Sequence, residues 1–116
     1  MLIYQLEIEI KQYKLDEFVN SIYSITSSIR KQKGCLDISG YQNSQKENSY
    51  IVIGEWKTRP AMERHFQTHE FELLIGAARV LGETFAVNIC KGSRKEGLEL
   101  VREQISSRHQ KSDVMD

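Results

Sequence analysis

An α+β domain in the order βαββαβ, with one extra helix at the C-terminal end, is what this sequence predicts. Two features of the pattern carry it. Apolar residues alternate with polar ones over the first ten positions, then switch to steps of three and four from Leu15. The same succession returns later, as two alternating stretches, a second helical stretch and a further strand. Length and charge bound the class. With 116 residues there is enough chain for one core. Sixteen basic residues balance sixteen acidic ones, which removes the basic surplus that nucleic-acid binding needs.

Leu2 to Ile10 is the first strand. Leu2, Tyr4, Leu6, Ile8 and Ile10 point one way, and Ile3, Gln5, Glu7 and Glu9 the other. Acids inside this apolar stretch mark it as a strand rather than a signal peptide, and no run approaches a membrane span of ~18–20 residues. A soluble cytoplasmic protein without a membrane partner is the expectation. From Leu15, the residues Phe18, Val19, Ile22, Ile25 and Ile29 form the stripe of an amphipathic helix. Arg30, Lys31 and Lys33 suit its C-terminal dipole, and Gly34 supplies the left-handed stop.

Cys35 to Gln42 reads as the second strand, Asn43 to Asn48 as a polar hairpin loop, and Tyr50 to Trp56 as the third strand. The third strand is apolar on both sides, Tyr50, Val52 and Trp56 against Ile51 and Ile53, so it is expected to be central. Thr58 caps the next helix and Pro60 sits near its first turn. That helix runs to about Leu81, with a break suggested near Thr68 to Glu70, and Gly82 ends it. Thr84 to Cys90 is the fourth strand. The last helix covers Arg94 to Ser107, with Leu98, Val101 and Ile105 on one stripe, and residues 108–116 are expected to be a flexible tail. One domain thus spans 1–107, with its core in 1–91.

This order is the split βαβ, ferredoxin-like arrangement. Right-handed crossovers place both helices on one face of an antiparallel sheet and leave the other face bare. Apolar residues recur on that bare face, which predicts a homodimer, with the last helix covering an edge or reaching the partner.

Few residues carry a chemical signal. On a continuous helix at ~100° per residue, Met62, Phe66, Leu73 and Val80 share a stripe, with His65 and His69 at its edge. His65 is thereby a candidate catalytic proton acceptor at a pocket wall, or a histidine that ties helix to sheet. His65 and His69 have the i, i+4 spacing of a two-imidazole metal site. Glu70 points ~100° from His69 and makes a poor third ligand, so no metal is expected. Trp56 and Tyr50, on one side of their strand, are candidates for an aromatic wall that stacks a planar substrate, or for core. Asn88 lies opposite Phe85, Val87 and Ile89 and can orient a substrate carbonyl or meet solvent; Tyr4, Tyr41 and Gln5 are lesser candidates. Cys35 and Cys90 fall on strands at opposite sheet edges, too far apart for a bridge, and read as buried free thiols. Lys91 to Lys111 carries six basic and three acidic residues, the surplus of a solvated helix face. No phosphate-binding loop or nucleotide fingerprint is present, so no flavin or nicotinamide cofactor is expected.

Ile53-Gly54-Glu55-Trp56, followed by Ala61-Met62-Glu63-Arg64-His65-Phe66-Gln67-Thr68, resembles the antibiotic biosynthesis monooxygenase family of dimeric α/β barrels. Gly34-Cys35, opening a strand after a helix, resembles its quinol monooxygenase branch. The likeness runs from Met1 to about Lys91. It implies a pocket between helices and sheet, and chemistries that include cofactor-free oxygenation of quinols and anthrones, heme degradation, and isomerisation of a small phosphorylated molecule. The heme-degrading members place an iron-ligating His, a Trp and an Asn where this chain has Ile75, His65 and Gln5, so heme is not expected. Where the family often has Pro-His, this chain has His69-Glu70. The expectation is a cofactor-independent monooxygenase acting with dioxygen on a small electron-rich aromatic. An isomerase on the same scaffold and a non-catalytic binding or stress-response dimer are the alternatives.

Overall fold

A computed structural model of the chain describes residues 1–92 and 94–115. It contains the expected fold: four antiparallel strands in the order β2-β3-β1-β4, helices on one face, and an added C-terminal helix. The strands are β1 (Leu2–Ile10), β2 (Cys35–Gln42), β3 (Ser49–Trp56) and β4 (Gly82–Lys91). The helices are α1 (Leu15–Ile29), α2 (Arg59–Phe66), α3 (His69–Leu81) and α4 (Arg94–Met115). A single 3-10 turn, Gln12–Lys14, leads into α1. No described helix is long and apolar enough to cross a membrane.

The alternation of β1 divides as its sequence dictates. Tyr4, Leu6, Ile8 and Ile10 are buried under the helices, while Glu7 and Glu9 are exposed. β3 is central, paired with β1 on one side and β2 on the other, and places Val52 and Trp56 in the core. From α1, Phe18, Ile22 and Ile29 join them; Val19, expected on the same stripe, lies at its exposed edge. α1 ends at Ile29, one residue before the basic cluster. Arg30 therefore serves β2 rather than the helix dipole: its guanidinium donates to the Ile38 carbonyl at 2.7 and 3.1 Å. Gly34 adopts φ +85°, and a side chain there would collide with the Cβ of Ala61. Only glycine meets both demands at this turn.

The helix after β3 does break. Thr58 caps α2, accepting from Ala61 N, and Thr68 caps α3, accepting from Phe71 N. The break resets the helical phase, so the stripe expected from Met62 through Val80 does not exist. α3 instead buries Leu74, Ala78 and Leu81, while Leu73 and Val80 face solvent.

By register, the sheet face without helices carries Ile3, Gln5, Glu7 and Glu9 from β1, alongside Ile51 and Ile53 from β3, and Ala86 and Asn88 from β4, a mixed apolar and polar surface. Cys35 and Cys90 are both free, on opposite edges of the sheet as expected, but Cys35 is half-buried and Cys90 exposed. At the C-terminal end, helix continues through Met115 where a flexible tail was expected from residue 108. Arg108, Gln110 and Lys111 are good helix formers, and neither Gly nor Pro intervenes to stop them. The described side chains of α4 are all exposed.

Candidate functional site

Tyr4, Trp56 and His65 meet at the core side of α2. Trp56 ends β3 and Tyr4 lies near the start of β1, so the register brings both under the helix. The His65 ring stacks on Trp56 with centroids 4.3 Å apart, and on Tyr4 at 5.5 Å. Its Nε2 is 2.8 Å from the Tyr4 hydroxyl, and its Nδ1 is 2.8 Å from Gln32 Oε1.

The direction of these bonds follows from the groups. Burial pushes the Tyr4 phenol far above its usual range, so its O–H stays protonated and donates to Nε2. Burial lowers His65 to about 4, against a smaller opposing effect of the Glu70 carboxylate, so the ring is neutral at pH 7. Its Nδ1–H then donates to Gln32. The Gln32 amide passes its own hydrogens to Thr68 Oγ1 at 3.4 Å and Glu70 Oε2 at 3.5 Å. Trp56 Nε1, buried beside Gly54, has no hydrogen-bond partner among the described residues.

His65 therefore does not stand at a pocket wall. It is 1 % exposed, both ring nitrogens are engaged, and its partners are side chains from β1 and the α1–β2 turn. His69 is displaced further. Because α3 begins anew at His69, its ring points into solvent beside Glu72, and the i, i+4 pairing with His65 is lost. Trp56 and Tyr50 share a strand face but not a wall. Six residues of strand separate them by ~20 Å, with Trp56 against His65 and Tyr50 edge-on to Phe18. Asn88 pairs across the ladder with Gln5 on the face away from the helices.

An open cleft of about 410 Å³ lies between α2 and the ends of β1 and β4. Leu2 opens β1 there, opposite Lys91 at the end of β4, with Ile89 and Cys90 beside them. Arg59, Met62, Glu63 and Phe66 of α2 complete it. These four stand at i, i+3, i+4 and i+7, one face of the helix. Leu2, Met62, Phe66 and Ile89 make an apolar interior, while Arg59 and Lys91 place cations at the rim, with Glu63 ion-paired to Arg59 at 2.9 Å. Phe66 joins cleft to core, its ring 5.5 Å from Tyr4 and 4.8 Å from Phe71. Arg59, Met62, Glu63 and Phe66 share one face of α2 by spacing alone, and the sequence singles out Met62 and Phe66 of the four. Gln32 had no signal in the sequence, since its contacts lie 33 and more residues away.

Cys35 is not an activated nucleophile. Burial, with the Asp37 carboxylate adding to it, pushes Cys35 up to about 11.

The family model described as antibiotic biosynthesis monooxygenase matches residues 1–75. An uncharacterised protein of Synechocystis is 33% identical over 67 residues, covering 55% of this chain and 46% of that protein, so the chain spans about half the length of that relative. YcnE of Bacillus subtilis, whose naming as a monooxygenase is provisional, is 25% identical over 81 residues, covering 70% of this chain and 85% of its own length. Among solved structures, SnoaB, a cofactor-independent oxygenase of Streptomyces nogalater crystallised as a mutant, superposes with a TM-score of 0.71 at 18% identity, covering 80% of this chain and 93% of that one. A Deinococcus radiodurans structure provisionally assigned to the same family gives 0.75 at 15% identity, covering 81% and 94%. At these identities the structures speak for the fold, and the family model speaks for descent. The chain belongs to the antibiotic biosynthesis monooxygenase family.

Proposed function

We propose that this protein is a cofactor-independent monooxygenase that oxidises a small electron-rich aromatic, a quinol or polyphenol, in the cleft between α2 and the β1–β4 pair. The observation that carries this reading is the cleft's composition, an apolar interior edged by Lys91 and the Arg59–Glu63 pair. Its 410 Å³ falls within the ~300–1,000 Å³ of small-molecule sites. Phe66 offers a ring face to a planar substrate, and Met62 and Ile89 exclude water around it. Lys91 favours the ionised form of a phenol or enol beside it, and Arg59, which shares its charge with Glu63, leaves guanidinium donors for the same oxygen. Such an anion can reduce dioxygen itself. For a quinol, one ring C–H bond, both phenolic O–H bonds and the O–O bond break, a C–O bond forms to give a hydroxyquinone, and the second oxygen leaves as water. Dioxygen is the oxidant, and the chain supplies desolvation, stacking and anion stabilisation.

His65 takes a positioning role in this reading. It holds Tyr4 and Trp56 in the layer behind Phe66 and does not touch the substrate. Asn88 and Tyr50 stay outside the cleft.

Incubation of an anthrone and a quinol panel under ¹⁸O₂ tests the reading. One labelled oxygen in the product, with turnover reduced ten-fold or more in Arg59→Ala/Lys91→Ala, is the expected outcome. The sealed surroundings of His65 favour one second reading, a non-catalytic binder of the same compounds. Ligand-induced rise in melting temperature without oxygen uptake would establish the binder and remove the oxygenase.

A further inference from the structure

Phe66 borders two spaces. Besides the cleft it lines a second, larger groove of about 890 Å³, bounded by α3, by α1 and by the connection between α2 and α3. The Phe66 and Phe71 rings, with centroids 4.8 Å apart, both line this groove and form the step into it from the cleft. Beyond them its lining is largely apolar, with Ile75, Ala77 and Val80 from α3 and Ile25 from α1.

Two details distinguish this groove from an ordinary furrow between packed helices. Leu73 and Val80 are 46 and 65 % exposed, so α3 presents hydrocarbon here that the core does not use. The second detail is Gly76. A glycine inside a helix is less stable than almost any other residue there, and Gly76 does not have the positive φ that favours glycine at Gly34. Nor does a neighbour demand it, since a Cβ at this position would meet nothing within 4 Å. What the glycine does is keep the groove open in the middle of α3.

Length and chemistry select an occupant. Phe71 to Val80 spans ~13 Å of helix, the reach of an extended chain of about ten carbons at ~1.2 Å per bond. Thr26 and His65 are the buried polar side chains among the described residues, and neither lines the groove, so it suits hydrocarbon rather than a functional group. Two spaces that meet at one aromatic ring fit one molecule with a ring in the first and a chain in the second.

We propose that the groove along α3 is a tail subsite, which takes the alkyl or prenyl chain of an aromatic whose ring lies against Phe66 in the cleft. The substrate class is then a chain-bearing quinol or phenol rather than a bare ring. The chain crosses Phe71 and runs past Ile75 and Gly76 toward Val80. This assignment rests on the cleft being the site of the ring.

Anaerobic titration calorimetry with alkylhydroquinones of increasing chain length, each below its micelle concentration, tests it. Affinity is expected to climb roughly two- to four-fold per added methylene and to level off near about ten carbons. Gly76→Phe fills the groove with a residue that the helix prefers to glycine. It should stop the climb after the first few carbons and leave the affinity for unsubstituted hydroquinone unchanged. Val80→Glu, at an exposed position, should lower the plateau for the longest chains only. Circular dichroism verifies that both variants are folded. Affinity independent of chain length overturns the proposal. So does an undiminished climb in Gly76→Phe, which would seat the chain elsewhere. Chain-dependent binding that Gly76→Phe blocks, without oxygen uptake in air, would leave the subsite standing and remove only the proposed oxidation.

Discussion

His65 and Phe66 are consecutive residues of α2, ~100° apart around the helix, with different surroundings. His65 faces inward, stacked on Trp56 and bonded at both nitrogens. Phe66 faces the cleft, with Arg59, Met62 and Glu63 one and two turns before it. The inward face holds the titratable group that drew attention first, but every atom that could react is already engaged. The outward face has ordinary residues and open space. A ring nitrogen becomes chemically useful when a substrate can reach it, and here the helix turns that nitrogen toward Gln32 and Tyr4. Residue type alone pointed to one side of the helix, and accessibility points to the other.

Perturbing the inward face should cost stability, and perturbing the outward face should cost binding. Trp56→Ala is the largest test. It empties a fully buried site against His65 and Tyr4, for an expected loss of about 3–5 kcal/mol in urea unfolding. A loss below 1 kcal/mol would mean that the stack is not part of the core.

Next comes pH. His65 has its ordinary value of 6.5 when unfolded and about 4 when folded. Between those values the unfolded chain takes up a proton that the folded chain refuses. The stabilisation is complete above pH 6.5 and is lost as pH falls toward 4, about 3 kcal/mol in all. Comparing unfolding at pH 7.5 and 4.5 in the wild type and in His65→Phe isolates this contribution, which should vanish from the variant. An unchanged slope in His65→Phe would show that the imidazole titrates normally and is open to solvent.

Tyr4→Phe is a smaller intervention. It strips Nε2 of its donor without changing the ring, at an expected cost of ~1–2 kcal/mol by thermal unfolding. A more stable variant would assign the Nε2 bond to some other group.

Arg59→Ala should move stability least. The Arg59–Glu63 pair is 74 and 56 % exposed, and such pairs contribute ~0.5 kcal/mol or less. Its effect belongs in KM for an ionisable aromatic, several-fold upward with the melting temperature unchanged. A large loss of stability at this position would dissolve the contrast between the two faces.

How much of this was legible from residues alone depended on how local the cause was. β1 and α1 carry their periodicity in consecutive positions, and the structure follows them. The Thr58 and Thr68 caps are local as well, yet a cap within a long helical pattern looks like an ordinary polar residue until the phase on either side is compared. Assuming one phase put Leu73 and Val80 inside and His69 beside the sheet; the structure exposes all three. The cleft draws on Leu2, on α2 and on the far end of β4, segments joined only by the register of the sheet. Gln32 sits in a turn that no periodicity describes, and its role exists only through residues brought to it by folding.

The interruption at Gln67–Thr68 also bears on how such a chain tolerates change in length. In an unbroken helix, one inserted residue rotates everything downstream by ~100° and carries the buried side chains to the surface. Here α3 starts from its own cap, so an extra residue between Phe66 and Thr68 can be taken up by the connection while Leu74, Ala78 and Leu81 keep their seats. Lineages that share this architecture are thus free to lengthen or reshape the segment bearing Arg59 to Phe66 and still retain the same sheet, a route by which one scaffold acquires new substrates without first relearning how to fold.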